Sequence, residues 1–262
     1  MKSTHCTWIT GGGSGIGFAL AQQLAEQGRV IVITGRDPQR LSKACQTINA
    51  RLEFPRAHYQ VLDVTNAQAV AECINEIEKN QGLIELAVLN AGDHFANGLD
   101  DFSVVPFRQL FEVNVFGVLN CVEALLPRFK ARNAGHIAVT ASVAGYQGLP
   151  LASAYGASKA AIIHACEALY FELRLTQIKL QIINPGFVKT PLTDKNTFEM
   201  PFLVEPEDAA KAIIKGLTSH RFEIAFPTPF VLILKTLRYL PYRWYFALVG
   251  RMTGFSSSGS EK

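Results

Sequence analysis

Charged residues are scarce in this sequence of 262 residues, where Asp, Glu, Lys and Arg make up 18% and the net charge is +3. So mild a positive charge, with no Lys/Arg-rich block before the C-terminal region, predicts no nucleic-acid partner. The five cysteines are odd in number, scattered, and show no C-x-x-C or Cys/His ligand spacing. We therefore expect reduced thiols, no metal site and a reducing compartment.

Long apolar runs are also missing. No stretch reaches ~18 uninterrupted apolar residues, the length that a membrane-spanning helix needs, so none is expected. The first residues, MKSTHCTWITGGG, run directly into a predicted strand and a glycine turn, without the apolar core of a signal peptide. We therefore expect a cytoplasmic protein. The alternative is a protein bound peripherally at the inner face of a membrane.

Hydrophobic residues, 48% of the chain, fall into short β-rich runs that alternate with longer helical patterns. Runs such as VIVIT and LAVLN are apolar without alternation, which is typical of strands covered by helices on both faces. The predicted strands are 7–10, 30–34, 59–63, 86–90, 136–141, 179–184 and 223–226. The predicted helices are 18–27, 38–50, 67–80, 105–131, 154–175 and 206–218. This order predicts an α/β fold with a doubly wound parallel sheet, Rossmann-like, of about seven strands.

The composition does not change before about residue 228. We therefore predict a single domain over residues 1–227, followed by a hydrophobic and basic C-terminal extension over residues 228–262.

A glycine-rich turn, TGGGSGIG, follows the first predicted strand and opens the first helix. Such a turn brings backbone N–H groups and the positive end of the helix dipole against a pyrophosphate, which a Cβ would hold away. A tight β–α turn without a ligand would look similar, but the strand before it and the helix after it favour dinucleotide binding. The residues predicted to bind are Gly11, Gly13, Ser14, Gly15, Ile16 and Gly17.

The second predicted strand ends in VIVITGRD. In dinucleotide-binding folds an acidic residue at this strand end accepts hydrogen bonds from the ribose and selects NAD. Here Gly35 leaves room for a 2′-phosphate, and Arg36 supplies a guanidinium to pair with it. NADP(H) is therefore the preferred cofactor. NAD(H) remains the alternative because Asp37 follows, although we interpret Asp37 as a helix cap before Pro38.

The third predicted strand ends at Asp63, in VLDVT, and Val64 follows it. We predict that both residues lie at the cofactor, with Asp63 at the adenine edge. The alternative for Asp63 is that it caps the following helix.

Six motifs occur in order along the chain and together carry a family resemblance. They are TGGGSGIG at 10–17, NAG at 90–92, NVFG at 114–117, TASVAG at 140–145, YGASK at 155–159 and NPGFVKTP at 184–191. Over roughly residues 5–227 the sequence resembles the short-chain dehydrogenase/reductase family. The resemblance implies a nicotinamide-dependent oxidoreductase that forms a homodimer or homotetramer through the long helices 105–131 and 154–175.

The resemblance also implies a catalytic set. Tyr155 would be the general acid/base, and Ser142 would hydrogen-bond the substrate oxygen. Lys159 would bind the nicotinamide ribose and lower the pKa of Tyr155. Asn114 would hold a water in a proton relay through Lys159. The further cofactor contacts that it implies are Asn90, Ala91, Gly92, Pro185, Gly186, Val188 and Thr190.

One departure from the family pattern concerns Ser14, where some NADP-preferring members carry a second basic residue. This leaves Arg36 as the one clear reader of the 2′-phosphate.

The spacing of Tyr155 and Lys159 gives the catalytic interpretation a physical reason. Residues four apart lie one above the other on a helix. An ordinary tyrosine has a pKa of about 10, too high for a base near neutral pH, and a cation one turn away favours the phenolate. A Tyr-x-x-x-Lys pair alone is more often an exposed surface pair, but Ser142 and Asn114 reverse that balance.

The substrate is expected beyond the carboxyl ends of the strands, within segments 94–99, 144–151 and 192–204. These segments contain His94, which either overlies the ligands or is simply solvated, and Lys195, the one candidate to clamp an anion. Their apolar residues either line a pocket for a hydrophobic substrate or pack the loops onto the domain. They are Tyr146, Leu149, Leu151, Phe198, Met200 and Phe202.

The C-terminal extension predicts two short helices, 230–240 and 242–252, broken at Pro241, and a disordered tail, SSSGSEK. The helices are rich in Leu, Phe, Tyr and Trp, and their charges are all basic: Lys235, Arg238, Arg243 and Arg251. This combination suits a membrane interface over residues 230–252. Two alternatives are that the helices cover the substrate pocket or form an oligomer contact.

The sequence therefore predicts an NADP(H)-dependent oxidoreductase that interconverts a carbonyl and an alcohol by hydride transfer, on a hydrophobic small molecule. Two alternatives remain open. One is an epimerase or dehydratase on the same scaffold, and the other is a non-catalytic NADP(H)-binding regulator at a membrane.

Overall fold

The computed structural model describes residues 5–100, 102–193 and 200–255. Its strands are β1 His5–Thr10, β2 Ile31–Gly35, β3 Ala57–Val61, β4 Leu83–Leu89, β5 Gly135–Thr140, β6 Ile178–Pro185 and β7 Glu223–Phe226. Its helices are α1 Gly15–Glu26, α2 Pro38–Asn49, α3 Ala67–Gln81, α4 Val105–Phe111, α5 Gly117–Arg132, α6 Ser153–Leu173, α7 Pro206–Leu217, α8 Thr228–Leu237 and α9 Tyr242–Thr253.

The seven strands form one parallel sheet in the order β3-β2-β1-β4-β5-β6-β7. The order reverses between β1 and β4, the position where doubly wound sheets bind ligands at their carboxyl edge. Thr10 of β1 lies opposite Thr34 of β2 and Leu89 of β4. This register places the residues that follow the three strands side by side. The predicted Rossmann-like fold of a single α/β domain is confirmed.

Both faces of the sheet are covered, as the apolar strands predicted. One face packs against helices that include α3, α5 and α6, with Trp8, Ile74 and Phe129 buried there. The other packs against α1, α2 and α7, with Ile33, Leu20 and Ile213 buried. The central strands are buried throughout except at their ends, which is why they read as continuous apolar runs.

Element boundaries differ from the predicted ones by one to three residues. The starts of β4 and α1 and the end of α8 differ most, by three residues each. At β4, exposed Leu83 and Glu85 alternate with buried residues and break the apolar run. The helix predicted at 105–131 consists of α4, a π-helical segment Glu112–Phe116, and α5. A π turn carries an extra residue, and such turns are common at functional sites.

Within the described parts of the chain, one helical stretch, Val105–Arg132, is long and apolar enough to cross a membrane. Its apolar residues Val118, Leu125 and Phe129 are buried against the sheet. We interpret this stretch as a core helix.

The C-terminal extension folds back on the domain as two helices, α8 and α9, which we call the C-terminal hairpin. Phe230 and Val231 of α8 pack with Val143, and Tyr245 and Val249 of α9 pack with Leu237. The Tyr245 hydroxyl donates a hydrogen bond to the carbonyl oxygen of Gly148 at 2.6 Å. The two predicted helices are confirmed, whereas the predicted disordered tail lies outside the described residues.

Candidate functional site

A cleft of about 640 Å³ opens at the carboxyl edge of the sheet, above the reversal of strand order. It is lined by every predicted site residue except Gly17 and Asn114. The strands align their carboxyl ends, so residues from five of the six motifs meet in one cleft. Its volume is within the range of roughly 300–1,000 Å³ that ligand pockets span.

The glycine turn occupies one end of the cleft. Gly11 has φ +66°, and a Cβ there would lie 3.0 Å from the Cα of Ala91. Gly17 lies behind the turn instead, where a Cβ would be 2.5 Å from the Gly11 carbonyl oxygen. Ser14 makes no side-chain cap, so the first amides of α1 are left for a ligand at the cleft.

Asn90 fastens this turn to the neighbouring strand. Its backbone N–H donates to the Thr10 hydroxyl at 2.9 Å, and its side-chain amide donates to the carbonyl oxygens of Thr10 and Gly11. The N–H of Ala91 donates to the same hydroxyl at 2.9 Å. Asn90 thus holds the turn in shape while Ala91 and Gly92 line the cleft.

Two arginines lie at the end of the cleft beside β2. Arg36 lines it as predicted, and Arg40, from the first turn of α2, lines it too. A Cβ on Gly13 would lie 3.3 Å from Arg40 Cγ, so the side chain of Arg40 runs along the glycine turn. Arg40 was missed by the sequence analysis. The available signal was a second arginine in the first turn of the helix that begins at Pro38.

Asp37 is the cap of α2, as predicted. Its Oδ1 accepts hydrogen bonds from the N–H groups of Gln39 at 3.0 Å and Arg40 at 3.1 Å. Its Oδ2 also lies 3.7 Å from Arg40 Nε. The carboxylate that argued for NAD(H) is thus committed to the helix start.

Asp63 lines the cleft, but the alternative that it caps the following helix is wrong. The cap of α3 is Asn66, which accepts a hydrogen bond from the Ala69 N–H at 3.0 Å. Asp63 instead accepts from the N–H and hydroxyl of Thr65 at 3.0 and 2.8 Å, closing a turn before α3.

Tyr155, Lys159 and Ser142 meet at the other end of the cleft. Tyr155 and Lys159 lie one turn apart on α6, with the Lys159 Nζ 5.7 Å from the centre of the Tyr155 ring. The buried Lys159 Nζ donates a hydrogen bond to the Thr140 carbonyl oxygen at 3.1 Å. Ser142 is the second residue after β5, and its hydroxyl accepts a hydrogen bond from the Ala144 N–H at 3.1 Å.

Burial controls the pKa values of this pair. It raises the pKa of Tyr155 above its usual value and outweighs the lowering by a hydrogen bond from Ser142. It also lowers the pKa of Lys159 to about 8. Burial disfavours the charged form of both groups and sets the direction of both shifts. The lowering of the Tyr155 pKa by Lys159 stays a prediction.

Asn114 lies in the π-helical segment, fully buried and behind the cleft. Its Oδ1 accepts from the Asp93 N–H at 2.8 Å, and its Nδ2 donates to the Asp93 carbonyl oxygen and to the Ser158 hydroxyl, both at 3.0 Å. Asn114 therefore fixes the loop after β4 against α6. Its role in holding a water stays a prediction.

His94 contacts Tyr155 directly. The two rings meet edge to face, with centroids 4.7 Å apart and planes at 79°. The position directly after NAGD was the only sequence signal for this contact. Of the two interpretations weighed for His94, the one that places it over the ligand site agrees with this geometry.

Aromatic side chains adjoin the substrate end of the cleft. The Phe230 ring lies 5.6 Å from that of Phe187 and 5.8 Å from that of Phe202. A Cβ on Gly186 would lie 2.9 Å from Phe230 Cδ1, so α8 packs directly behind a residue of the cleft. Lys195 and Phe198, which the sequence analysis also proposed here, lie outside the described residues.

A carboxylate, Glu223, ties α8 to this end of the domain. It accepts hydrogen bonds from the Tyr146 hydroxyl, from Lys235 Nζ, and from Asn184 Nδ2 at 2.8 Å. Burial alone would raise the pKa of Glu223, but these hydrogen bonds outweigh it and lower the pKa. Lys235 thus points at the domain, which removes it from the basic residues proposed to face a membrane.

Clusters of three or more His, Cys, Asp or Glu side chains that would suit a metal ion are not found among residues 5–100, 102–193 and 200–255. The five cysteines are buried thiols, and burial raises the pKa of Cys6 and Cys73 to about 12.

Comparison with known proteins agrees with the motifs. The family model for short chain dehydrogenases matches residues 5–200. An uncharacterized oxidoreductase of Myxococcus xanthus is 34% identical over 250 residues, covering 93% of this chain and 96% of that protein. Another from Staphylococcus epidermidis is 33% identical over 210 residues, covering 80% of this chain and 89% of that protein.

Solved structures share the fold. A short chain dehydrogenase/reductase from Burkholderia phymatum, in complex with NAD, superposes with a TM-score of 0.80 at 25% identity, covering 91% of this chain and 95% of that one. An alcohol dehydrogenase from Thermococcus sibiricus, complexed with 5-hydroxy-NADP, has a TM-score of 0.75 at 24% identity, with coverages of 85% and 96%. The chain therefore belongs to the short-chain dehydrogenase/reductase family of oxidoreductases, which are built on this nucleotide-binding fold.

Proposed function

We propose that this protein is an NADP(H)-dependent oxidoreductase that interconverts a carbonyl and an alcohol, with Tyr155 as the general acid/base. The observation that carries the proposal is the placement of Ser142, Tyr155 and Lys159 at one end of a cleft whose other end is the glycine turn. A Cβ at Gly11 or Gly15 would lie 3.0 Å from Ala91 and 2.9 Å from Thr190, so the tight turn needs glycine at both positions. A pyrophosphate would meet the first amides of α1 at this turn.

The cleft residues divide the chemistry among them. A bound nicotinamide would supply or accept the hydride. During reduction, the Tyr155 hydroxyl donates its proton to the oxygen of the carbonyl as the carbon is reduced, and in oxidation the phenolate takes the proton back. The Ser142 hydroxyl hydrogen-bonds that oxygen. Lys159 hydrogen-bonds the ribose, and Asn114 holds the loop and helix that position this group.

The preference for NADP(H) over NAD(H) is supported by charge. Arg36 and Arg40 both line the cleft beside β2, and the nearby Asp37 carboxylate is already bonded to the start of α2. Two guanidinium groups suit a 2′-phosphate, whereas an acidic side chain free to accept from the ribose would suit NAD(H). Arg40 supplies the second basic group that is missing at Ser14.

A hydrophobic substrate is supported by the aromatic residues next to the cleft. Phe187, Phe202 and Phe230 form a contiguous group beside Gly186. The nearby Glu223 and Lys235 are paired with each other, so neither is left to clamp a charged substrate. The geometry therefore favours a neutral, apolar ketone, aldehyde or alcohol.

The test is a cofactor-oxidation screen with NADPH and NADH against carbonyl compounds of graded size and polarity. The proposal predicts turnover with NADPH that improves as the carbonyl compound becomes more apolar. Equal use of both cofactors would remove the argument from Arg36 and Arg40. Product formation without net cofactor turnover would replace the proposal with an epimerase or dehydratase. Cofactor binding without any product would point to a regulator.

The assembly we propose is a homodimer or homotetramer in the cytoplasm, formed through the long helices on one side of the sheet. Exposed apolar residues Val105, Phe116 and Phe171 on α4, the π-helical segment and α6 support it. Light scattering coupled to size-exclusion chromatography measures the mass directly, and a monomer at micromolar concentration would contradict it.

A further inference from the structure

The outer face of the C-terminal hairpin carries an unusual share of the exposed apolar surface. Its large exposed side chains are Leu232, Ile233, Tyr239, Tyr242, Trp244, Phe246, Leu248, Met252 and Phe255. They come from 28 consecutive residues, 228–255. So many exposed large apolar side chains on one segment indicate a contact surface.

Both helices carry apolar side chains on a buried face and on an exposed face. In α9, Tyr245 and Val249 face the domain, whereas Trp244, Leu248 and Arg251 follow one another at i, i+4 and i+7 on another face. In α8, Phe230 and Val231 are buried and Leu232 is exposed. Each helix therefore has one apolar face that the domain uses and a second that it leaves exposed.

Charge on the hairpin has a single sign. Residues 228–255 contain no Asp or Glu, and their basic residues are Lys235, Arg238, Arg243 and Arg251. Lys235 is paired with Glu223, while the three arginines are exposed residues. Arginine beside exposed Tyr and Trp is the composition of helices that lie in the interface of an anionic bilayer.

We propose that the outer face of the C-terminal hairpin binds peripherally to an anionic lipid bilayer, with the side chains of Leu232, Trp244 and Leu248 entering the interface and Arg238, Arg243 and Arg251 contacting lipid phosphates. The charge pattern decides against a second copy of the chain. A two-fold contact places the same surface on both subunits, so it would set arginines against arginines with no carboxylate on this face to offset them.

The experiment uses the intrinsic fluorescence of the full chain, which contains two tryptophans. Trp8 is 0% exposed in the core and Trp244 is 66% exposed, so a change of emission on adding vesicles reports on the hairpin. We expect a blue shift and co-sedimentation with vesicles of phosphatidylcholine mixed with phosphatidylglycerol, and far weaker binding to phosphatidylcholine alone. Replacing Arg243 and Arg251 by Gln should weaken binding roughly fivefold per residue, at about 1 kcal/mol each.

The controls separate this contact from adhesion elsewhere. Leu232→Glu combined with Leu248→Glu leaves Trp244 in place and should abolish binding. Phe54→Glu, at another exposed aromatic residue outside the hairpin, should leave binding unchanged. Far-ultraviolet circular dichroism and the thermal midpoint should match those of the wild type, since all three positions are exposed. These readouts need no turnover, so they are independent of the catalytic proposal.

Two results would overturn the inference. One is an unchanged emission and no co-sedimentation with anionic vesicles. The other is a blue shift that appears without vesicles as protein concentration rises, together with a doubling of mass that Leu248→Glu removes, which would assign the face to a second copy of the chain.

Discussion

Tyr155 is held at the end of the cleft by two neighbours of its ring, His94 and Lys159. The His94 ring meets it edge to face at 4.7 Å, and the Lys159 ammonium lies 5.7 Å from its centre. The ring is therefore positioned by packing, and its hydroxyl is left for Ser142 and a substrate.

Tyr155→Phe removes one oxygen and keeps this packing. We expect kcat to fall by roughly 10²- to 10⁴-fold, the usual contribution of a general acid/base, with NADPH binding preserved. Turnover and NADPH fluorescence titration measure the two effects separately. Tyr170→Phe, on the same helix but packed against Phe222, is the matched control and should keep full activity. Turnover by Tyr155→Phe near the wild-type rate would refute the assignment.

Arg36 and Arg40 are expected to read the 2′-phosphate. Replacing both by Ala should raise KM for NADPH by at least about a hundredfold, since each charge-assisted hydrogen bond contributes roughly 1.5–3 kcal/mol, and should change KM for NADH little. Arg51→Ala, at an arginine paired with Glu26 beyond the end of α2, is the control. An equal rise in KM for both cofactors would show that the arginines stabilise the fold and do not bind the 2′-phosphate.

Lys159 gives the protein a pH-dependent stability. Its pKa is about 8 in the folded chain against an ordinary value of 10.5. Above pH 8 the unfolded chain therefore holds more protons at this residue, and the Lys159 contribution to the free energy of unfolding rises with pH. Buried thiols such as those of Cys6 and Cys73, with pKa raised from 9.0 to about 12, act in the opposite sense above pH 9.

Between pH 8 and 9 the lysine effect should therefore be visible on its own. We expect urea unfolding to show that the wild type gains stability relative to Lys159→Met across this interval, because the variant has no proton to lose there. Parallel pH profiles for the two proteins would mean that Lys159 is not buried as the structure shows.

An ion pair between Glu223 and Lys235 joins the hairpin helix α8 to the domain, in addition to the apolar packing of that helix. Glu223, at the start of β7, accepts hydrogen bonds from Lys235, Tyr146 and Asn184. Phe230, which lies on α8 with Lys235, packs behind Gly186. The pair is partly buried, so its contribution is larger than that of a surface ion pair but is still reduced by solvent.

A double-mutant cycle of Glu223→Gln and Lys235→Met tests this anchor. We expect each single variant to lose about 1–3 kcal/mol of stability, with strongly non-additive effects in the double variant. Hydrogen exchange should accelerate in residues 228–255 and not in the central strands. Lys189→Met, in an exposed pair with Glu205, is the control. Additive losses would show that the two side chains act independently.

Most of the fold could be predicted from local sequence patterns. The features that were missed depend on contacts between segments that are distant in the sequence. The strands were predictable because both faces of the sheet are covered, so VIVIT and LAVLN are apolar throughout. The partner of Lys235 lies twelve residues away, on a strand edge, and no periodicity marks it. The π-helical segment around Asn114 likewise has no turn or breaker signal in the sequence.

The same limit applies within the site. Gly11, Ser142 and Tyr155 were placed correctly because each sits in a motif at the end of a strand or on a helix next to one. The pKa of Tyr155 was not predictable, because spacing on a helix does not reveal the degree of burial that raises this pKa.

At the scale of the whole molecule, one helix of the hairpin, α8, lies between the cleft and the outer face of the hairpin. One side of α8 presents Phe230 toward Gly186 and Phe187, and the other side presents Leu232 outward. A helix has a diameter of about 10–12 Å with its side chains, so the wall beside the substrate and the proposed lipid contact are separated by one helix thickness.

Because only one helix separates the two, a lipophilic ketone dissolved in the bilayer would reach the cleft directly from the lipid. We expect the reaction rate to follow the mole fraction of ketone dissolved in lipid and not its total amount in the tube. When a fixed amount of ketone is diluted into more vesicles, the rate of its conversion by the full-length protein should fall. A small water-miscible carbonyl compound should be converted at the same rate at every vesicle concentration. A rate indifferent to lipid amount for both compounds would mean that the ketone arrives through water.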